Sequence, residues 1–293
     1  MIAKRTRKRV PESAIGYRTE KRLVRGVQAL ALALVLLVVL FPIYWMILTG
    51  IKPKSELYLP DPLLYTLHPT WDNARSLFSR TPFLTQLRNS LAVSTVTTSV
   101  TIVVGALAGY SVSRLRYPGR DFFASAIFFV YLIPGILTLI PLYVFMSQLH
   151  LLNSLYALML AYLGGTVPFA IWVLKGYFTT IPYEMEDAAL VDGCTRLEAL
   201  YKVILPLAAP GLVACAIFAY TLSWNEYLLA MLFNNTKDLW TLPVGLAGLV
   251  YGDVFLWGEI MIGAFLMSIP VLVLYVLAQR YVVTGLTAGA VKG

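Results

Sequence analysis

Long stretches without a single charged residue constrain this chain more than any other feature. A helix needs about 20 mostly apolar residues, each rising about 1.5 Å, to cross a bilayer core of about 30 Å. Uncharged stretches that meet this requirement occur five times: Gly26–Ile51, Asn89–Ser113, Phe122–Leu174, Val203–Asn225 and Ile260–Gln279. The third is too long for one helix, and the polar residues at 150–154 divide it into spans near Phe122–Met146 and Tyr156–Leu174. The sequence therefore predicts an all-α polytopic membrane protein with six transmembrane helices.

The composition excludes a soluble globular protein. Hydrophobic residues make up 59% of the 293 residues, charged residues make up only 13%, and the mean hydropathy is +0.74. A soluble domain carries roughly 25% charged residues to cover its surface. The two cysteines, Cys194 and Cys215, form neither a disulfide framework nor a zinc-binding spacing.

The distribution of positive charge predicts the orientation in the membrane. The net charge is +8, and nine of the 23 Lys and Arg residues lie between Lys4 and Arg25, directly before the first span. With the amino terminus inside, the cytoplasmic segments hold 17 Lys and Arg residues and the outer segments hold six. Because Lys and Arg concentrate on the cytoplasmic side, this asymmetry predicts that both termini are cytoplasmic. The same placement argues against nucleic acid as a partner.

These predictions divide the chain into three regions. They are a basic cytoplasmic segment (1–25), a six-span transmembrane domain (26–283) with a cytoplasmic loop at 181–206, and a cytoplasmic tail (284–293). The first span is too long for the apolar part of a cleaved signal peptide, so we interpret it as a retained helix. Proline and aromatic residues in the first outer loop, 52–88, predict an ordered segment. The uncharged stretch Leu239–Gly252 has 14 residues, which is too short to span, and predicts an interfacial or re-entrant piece.

The loop between the fourth and fifth spans predicts a short helix. Pro182 suits a first helical turn, and Glu184, Glu186 and Asp187 follow where the helix dipole favours negative charge. The pair Asp192-Gly193 is typical of a helix end, with Gly193 at a positive φ angle. The alanines between these signals leave a shallow face. This pattern fits either an ordinary amphipathic connector or an element that docks in a groove of another protein.

A second helix is predicted directly after this turn. Thr195 and Glu198 have the spacing of a capping box, in which each residue binds the backbone N–H of the other. The helix is expected to run through Leu205 and to stop at Pro206 and Pro210.

The loop also carries a family resemblance. Its residues Asp187-Ala188-Ala189, Asp192-Gly193 and Leu205-Pro206 resemble the signature loop of binding-protein-dependent ABC import permeases. The usual first residue of that signature is Glu, and Asp187 keeps its charge. Cys194 stands where the family usually has a small residue such as Ala.

Other segments extend the resemblance over nearly the whole chain. The matching segments are 41–45 with Lys52-Pro53, 109–114, 223–227 and the terminal 285–293. The terminal segment is the most specific and resembles the carbohydrate-uptake branch, in particular its smaller maltose-transporter permease subunits. The resemblance implies the type I ABC importer permease fold and a multi-pass protein of a bacterial or archaeal cell (inner or cytoplasmic) membrane.

The resemblance also implies partners and contact sites. The partners would be a homologous second permease, two ATP-binding subunits, an extracytoplasmic solute-binding protein, a sugar substrate and membrane lipid. The coupling helix that docks on the ATPase would include Glu184, Glu186, Asp187, Ala188, Ala189, Leu190, Asp192 and Gly193. A tail between the ATPase subunits would include Leu286, Thr287, Ala288, Gly289 and Lys292. An outer loop against the binding protein would include Tyr251, Gly252, Asp253, Phe255 and Trp257.

The sequence contains no motif for catalysis. No Gly-x-x-x-x-Gly-Lys-Ser/Thr phosphate loop, catalytic triad or metal cluster occurs, so we expect no enzyme and no cofactor in this chain, with ATP and Mg bound by partner ATPase subunits. His68 and His150 are interpreted as plain interfacial residues. Only two carboxylates, Glu226 and Glu259, come close to buried positions in the spans, and both lie at span ends. A carrier driven by ions usually needs buried carboxylates, so the pattern favours an external energy source.

The translocation pathway is predicted on the fifth span. Tyr220, Trp224 and Asn225 offer aromatic faces and an amide that suit a sugar, although Trp224 is equally typical of an interfacial aromatic belt. The expected solute is a di- or oligosaccharide, and the alternative is glycerol phosphate or its esters. From another class, a stand-alone secondary carrier or channel remains the competing hypothesis.

Overall fold

The computed structural model describes residues 12–251 and 254–290, with side chains described except at 12–20, 22, 251 and 282–290. The α-helices of these residues are α1 (Glu12–Ile51), α2 (Lys54–Leu57), α3 (Asp72–Arg80), α4 (Phe83–Arg114), α5 (Arg120–Tyr131), α6 (Gly135–Gln148), α7 (Leu155–Thr180), α8 (Tyr183–Val191), α9 (Arg196–Ala199), α10 (Leu205–Leu207), α11 (Ala209–Asn225), α12 (Leu228–Phe233), α13 (Leu242–Ala247) and α14 (Trp257–Ala290). A π-helical turn, Leu200–Ile204, joins α9 to α10, and a 3-10 turn covers Lys237–Leu239. Strands β1 (Val250–Tyr251) and β2 (Val254–Phe255) pair antiparallel.

Within the described residues, four helices are long and apolar enough to cross a membrane. They cover Leu23–Ile51, Phe83–Arg114, Leu155–Thr180 and Trp257–Tyr281, at the positions of the first, second, fourth and sixth predicted spans. The polar turn predicted between the third and fourth spans is present. Ser154 closes it by accepting a hydrogen bond from the N–H of Ala157 at the start of α7.

The third and fifth predicted spans are not single straight helices. α5 and α6 meet at 97°, and the helical segment Arg196–Leu207 meets α11 at 82°. Pro134 lies in the first break and disfavours a helical conformation at the preceding residue. Pro210 follows the second break and has no N–H to continue the hydrogen-bond ladder. By length and composition each bent pair is one broken span or a re-entrant segment, so the described helices provide four to six crossings.

Helix α4 lies at the centre of the bundle because its inner face carries small residues. A Cβ atom on Gly105 would lie 2.7 Å from the Cβ of Ala170 on α7, so only glycine permits this approach. Nearby, the hydroxyls of Thr101 and Thr166 form a buried hydrogen bond of 2.7 Å between the same helices. Small residues and hydroxyl pairs are the usual means by which membrane helices pack closely.

The loop between α1 and α4 is ordered, as the sequence predicted. The buried amide of Asn73 donates to the carbonyls of Gly50, at 2.9 Å, and Lys52, at 2.8 Å. The hydroxyl of Tyr58 donates to the carbonyl of Phe255 at 2.9 Å and joins this loop to the β-hairpin. The uncharged stretch near residue 245 forms the short helix α13, which packs on α4.

Candidate functional site

The predicted short helix of the loop is α8, and it ends as expected. Gly193 has a φ angle of +90°. Its N–H donates to the carbonyl of Leu190 at 3.1 Å, and the N–H of Cys194 donates to the carbonyl of Ala189 at 3.0 Å. This pair of bonds is a Schellman motif, which requires a left-handed residue at the position of Gly193.

The predicted capping box is also present. Thr195 Oγ1 accepts from the N–H of Glu198 at 3.3 Å, and a Glu198 carboxylate oxygen accepts from the N–H of Thr195 at 2.8 Å. The prediction that Pro206 stops this helix was wrong, because the helix continues through Pro206 to Leu207. A π turn precedes the proline, and in it the N–H of Leu205 bonds to the carbonyl of Leu200.

One side of α8 faces the protein interior. Glu186 is only 3% exposed, and Ala189, three residues on, is also buried. The hydroxyl of Tyr110 donates to the Glu186 carboxylate, Arg196 Nη1 lies 3.5 Å from it, and Arg114 Nε lies 3.9 Å from it. This placement corrects the expectation that Glu186 and Ala189 belong to a docking surface. Both are buried because helical periodicity places them on one side of α8, and the Glu186 carboxylate faces α4 and the start of α9.

Arg114 connects this carboxylate to two membrane helices. It is the last residue of α4, and its side chain is fully buried. Its Nη2 donates to the carbonyl of Phe178 and, at 2.6 Å, to that of Ile181 at the end of α7. Its guanidinium also lies 4.3 Å from the centre of the Tyr183 ring on α8. We call Tyr110, Arg114, Glu186 and Arg196 the coupling anchor.

The sequence analysis missed three members of the coupling anchor. Arg114 and Arg196 were counted only among the cytoplasmic positive charges and, for Arg114, in the resembling segment 109–114, which also contains Tyr110. The available signals were an arginine at the end of the second span and an acidic loop after the fourth span, which are compatible with a buried pair. Those signals cannot identify which carboxylate is the partner.

The opposite side of α8 is exposed. Among the predicted docking residues, Glu184, Asp187, Ala188, Asp192 and Gly193 are exposed and Leu190 is half-buried. The same side also carries an unpredicted apolar residue, Val191, which is 88% exposed. Met185 on α8 and Leu197 on α9 are further exposed apolar residues. Exposed apolar residues mark a surface for a protein partner only where they form a contiguous patch rimmed by polar groups.

The structure does not place the three predicted pathway residues on one open surface. Trp224 is 1% exposed, and its Nε1 donates to the carbonyl of Met267 on α14 at 3.2 Å. Its ring stacks on Tyr220 with 5.6 Å between the ring centres. Trp224 is therefore a packing residue in this structure, because it fills the contact between α11 and α14. Asn225 is exposed, and its amide donates to the carbonyl of Thr221 in its own helix.

The predicted outer contact lies in the β-hairpin and the start of α14. The rings of Phe255 and Trp257 stack with 5.0 Å between centres, and both are partly exposed. The side chain of Tyr251 and all of Gly252 and Asp253 lie outside the described residues.

The predicted ATPase-contacting tail is described only in part. The backbone of 286–289, which includes Gly289, continues α14, while the side chains of Leu286, Thr287 and Ala288, and the whole of Lys292, lie outside the described residues. Their contacts therefore remain a prediction.

Comparison with solved structures identifies the fold. A bacterial ABC transporter involved in the import of the acidic polysaccharide alginate contains a chain that superposes with a TM-score of 0.76 at 22% identity. The superposition covers 89% of this chain and 97% of that one. The chain thus has the fold of an ABC importer permease.

Comparison with known sequences identifies the family. The diacetylchitobiose uptake system permease protein DasC of Streptomyces coelicolor is 36% identical over 86% of this chain and 92% of its own length. The trehalose/maltose transport system permease protein MalG of Thermococcus litoralis is 32% identical over 93% of this chain and 98% of its own length. Residues 101–287, which include α8 and the coupling anchor, match the family described as binding-protein-dependent transport system inner membrane component. The resemblance found in the signature loop is confirmed, and the chain belongs to this family of ABC importer permeases.

Proposed function

We propose that this chain is one permease subunit of an ATP-driven importer that moves a di- or oligosaccharide delivered by an extracytoplasmic binding protein. The observation that carries the proposal is the two-sided helix α8. One side is tied to the membrane helices by Glu186, and the other side is exposed with Asp187, Ala188 and Val191. The names of the relatives, which refer to diacetylchitobiose, trehalose and maltose, support a sugar as the solute.

The chain would work with separate subunits. A homologous second permease would complete the pathway, and two ATP-binding subunits would bind ATP and Mg and dock on the exposed side of α8. The tail residues 286–292 would enter the ATPase interface, and the hairpin near Phe255 and Trp257 would contact the binding protein. Tyr220 and Asn225 would reach the pathway when α11 moves, since Tyr220 is half-buried and Asn225 is exposed here.

Uptake into vesicles tests the sugar assignment. The complex of this chain with the second permease and the ATPase subunits of its own genome, reconstituted with ATP inside, should accumulate radiolabelled trehalose or diacetylchitobiose when loaded binding protein is outside. Omitting ATP should abolish accumulation. Uptake that persists without ATP and the ATPase subunits would instead identify a stand-alone carrier. Uptake of glycerol phosphate but of neither sugar would show that the solute is glycerol phosphate and not a sugar.

Six crossings with both termini in the cytoplasm complete the proposal, and cysteine labelling tests them. In a background with Cys194 and Cys215 replaced by alanine, single cysteines at Ser13, Ser76 and Ala290 should react with a membrane-impermeant maleimide from inside, outside and inside. The expectation follows from the excess of Lys and Arg on one set of loops. Labelling of the Ser13 position in intact cells would show that the orientation is the opposite of the proposed one.

A further inference from the structure

We propose that Glu186 is a positioning residue for coupling and not a docking contact: with Tyr110, Arg114 and Arg196 it fixes α8 to the ends of α4 and α7, so that movement of α8 reaches the membrane helices. The inference rests on the proposed function, and it assigns transmission to a set of residues distinct from those that bind the ATPase.

The burial of this carboxylate needs an explanation beyond helix stability. Near the start of a helix an exposed carboxylate already interacts well with the helix dipole. Burying a charge removes its hydration, and the cost is recovered only where opposite charges and hydrogen bonds surround it. Glu186 obtains one hydrogen bond, from the Tyr110 hydroxyl, and two opposite charges, from Arg196 at 3.5 Å and Arg114 at 3.9 Å, while its Oε2 has no hydrogen-bond partner among the described residues. These partners belong to other elements, so the interaction fixes the relative position of the elements.

The geometry connects each element that must move together. Arg114 ends α4 and bonds to the carbonyls of Phe178 and Ile181, which end α7. Glu186 belongs to α8, and Arg196 begins α9 beyond the sharp turn. A displacement of α8 therefore shifts the coupling anchor, which joins α8 to the ends of α4 and α7 and to the start of α9. Because α4 packs along both α7 and α11, its end is well placed to pass that displacement to the bundle.

The docking surface lies on the opposite side of the same helix. Asp187 and Ala188 are exposed, whereas Glu186 and Ala189 are buried. Binding and transmission are thus separable by mutation. A change at Glu186 should leave the ATPase bound while weakening the link between ATP hydrolysis and movement of solute.

The test compares Glu186→Gln with Asp121→Asn in the purified, reconstituted complex. Both remove one carboxylate charge that is paired with arginine, but Asp121 is exposed and lies outside the coupling anchor. For Glu186→Gln we expect normal recovery of the ATPase subunits and a fall in solute moved per ATP of about two- to thirtyfold, the range in which single mutations change coupling between sites. Asp121→Asn should keep the wild-type ratio.

A second readout reports the position of α8 directly. Cys194 is free and partly exposed at the turn after α8, whereas Cys215 is buried, so a nitroxide reagent should label Cys194 selectively. The label should become more mobile in Glu186→Gln and remain unchanged in Asp121→Asn. If Glu186→Gln does not assemble, Tyr110→Phe removes a single hydroxyl from the coupling anchor and should show the same two effects at smaller size.

The outcomes separate this inference from the proposed function. If the wild-type complex transports sugar with ATP while Glu186→Gln keeps the wild-type ratio and label mobility, Glu186 is only structural and the inference fails. A lower melting temperature with an unchanged ratio leads to the same conclusion. If the wild-type complex neither binds the ATPase nor transports sugar, the proposed function is wrong, and the inference about Glu186 fails with it.

Discussion

Replacing Gly193 with valine is expected to uncouple ATP hydrolysis from transport while the subunits remain assembled. Gly193 has a φ angle of +90°, where a β-branched residue is strained. Among the described residues, no atom apart from those of the two adjacent residues lies within 4 Å of a Cβ built at this position, so the penalty comes from the backbone and not from crowding. Such strain costs about 1–3 kcal/mol, and about 1.4 kcal/mol corresponds to a tenfold change in an equilibrium. We therefore expect binding-protein-stimulated ATP hydrolysis to fall by about five- to 150-fold.

Gly193→Asn is the matched control for this prediction. Asparagine adopts left-handed conformations more readily than other residues with a side chain, so it should preserve the turn and most of the activity. Equal activities for Gly193→Val and Gly193→Asn would show that the left-handed turn after α8 has no role in coupling.

Replacing Ala188 with arginine should remove the ATPase subunits from the complex. Ala188 lies on the exposed side of α8, next to Asp187, so the change leaves the interior of this chain intact. In a docked complex the new side chain would place an unpaired charge in the interface, which typically costs about 3–5 kcal/mol. Affinity for the ATPase should then fall by about two to four powers of ten, and uptake should be lost.

Co-purification at defined detergent and salt concentrations measures this effect. Ala188→Ser keeps a small side chain and should retain the subunits in wild-type amounts. Both variants should insert into the membrane at the wild-type level. An intact complex with Ala188→Arg at normal affinity would mean that the ATPase binds elsewhere on the chain.

The sequence predicted those features of the site that depend on local signals. The end of α8 at Gly193 and the capping box of Thr195 and Glu198 are set by residues within a few positions, and both are present. The inward direction of Glu186 was not predictable in the same way. It depends on Arg114, which is 72 positions earlier in the chain, and on carbonyls of a third helix.

In the fold, too, features set by local signals were predictable and features set by distant residues were not. Apolar runs located the four described helices that are long and apolar enough to cross a membrane, because length and hydropathy are properties of the run itself. The bend near Pro134 was missed, since an uncharged run has the same composition whether it is straight or broken. Near the second bend, Pro206 and Pro210 did indicate a helix end, and the break lies between them, after Leu207. The burial of Trp224 was also missed. Its hydrogen-bond partner Met267 belongs to another helix, so no pattern within α11 distinguishes a pathway residue from a packing residue.

ATP hydrolysis by the reconstituted complex, measured with and without solute-loaded binding protein, tests the central claim most directly. The claim is that this chain performs no hydrolysis itself and passes a signal from the binding protein to separate ATPase subunits through α8. The account predicts no hydrolysis by the isolated chain, a low rate for the complex, and a rate several times higher when loaded binding protein is added. A rate that does not respond to loaded binding protein, in a complex that nevertheless transports the sugar, would contradict it.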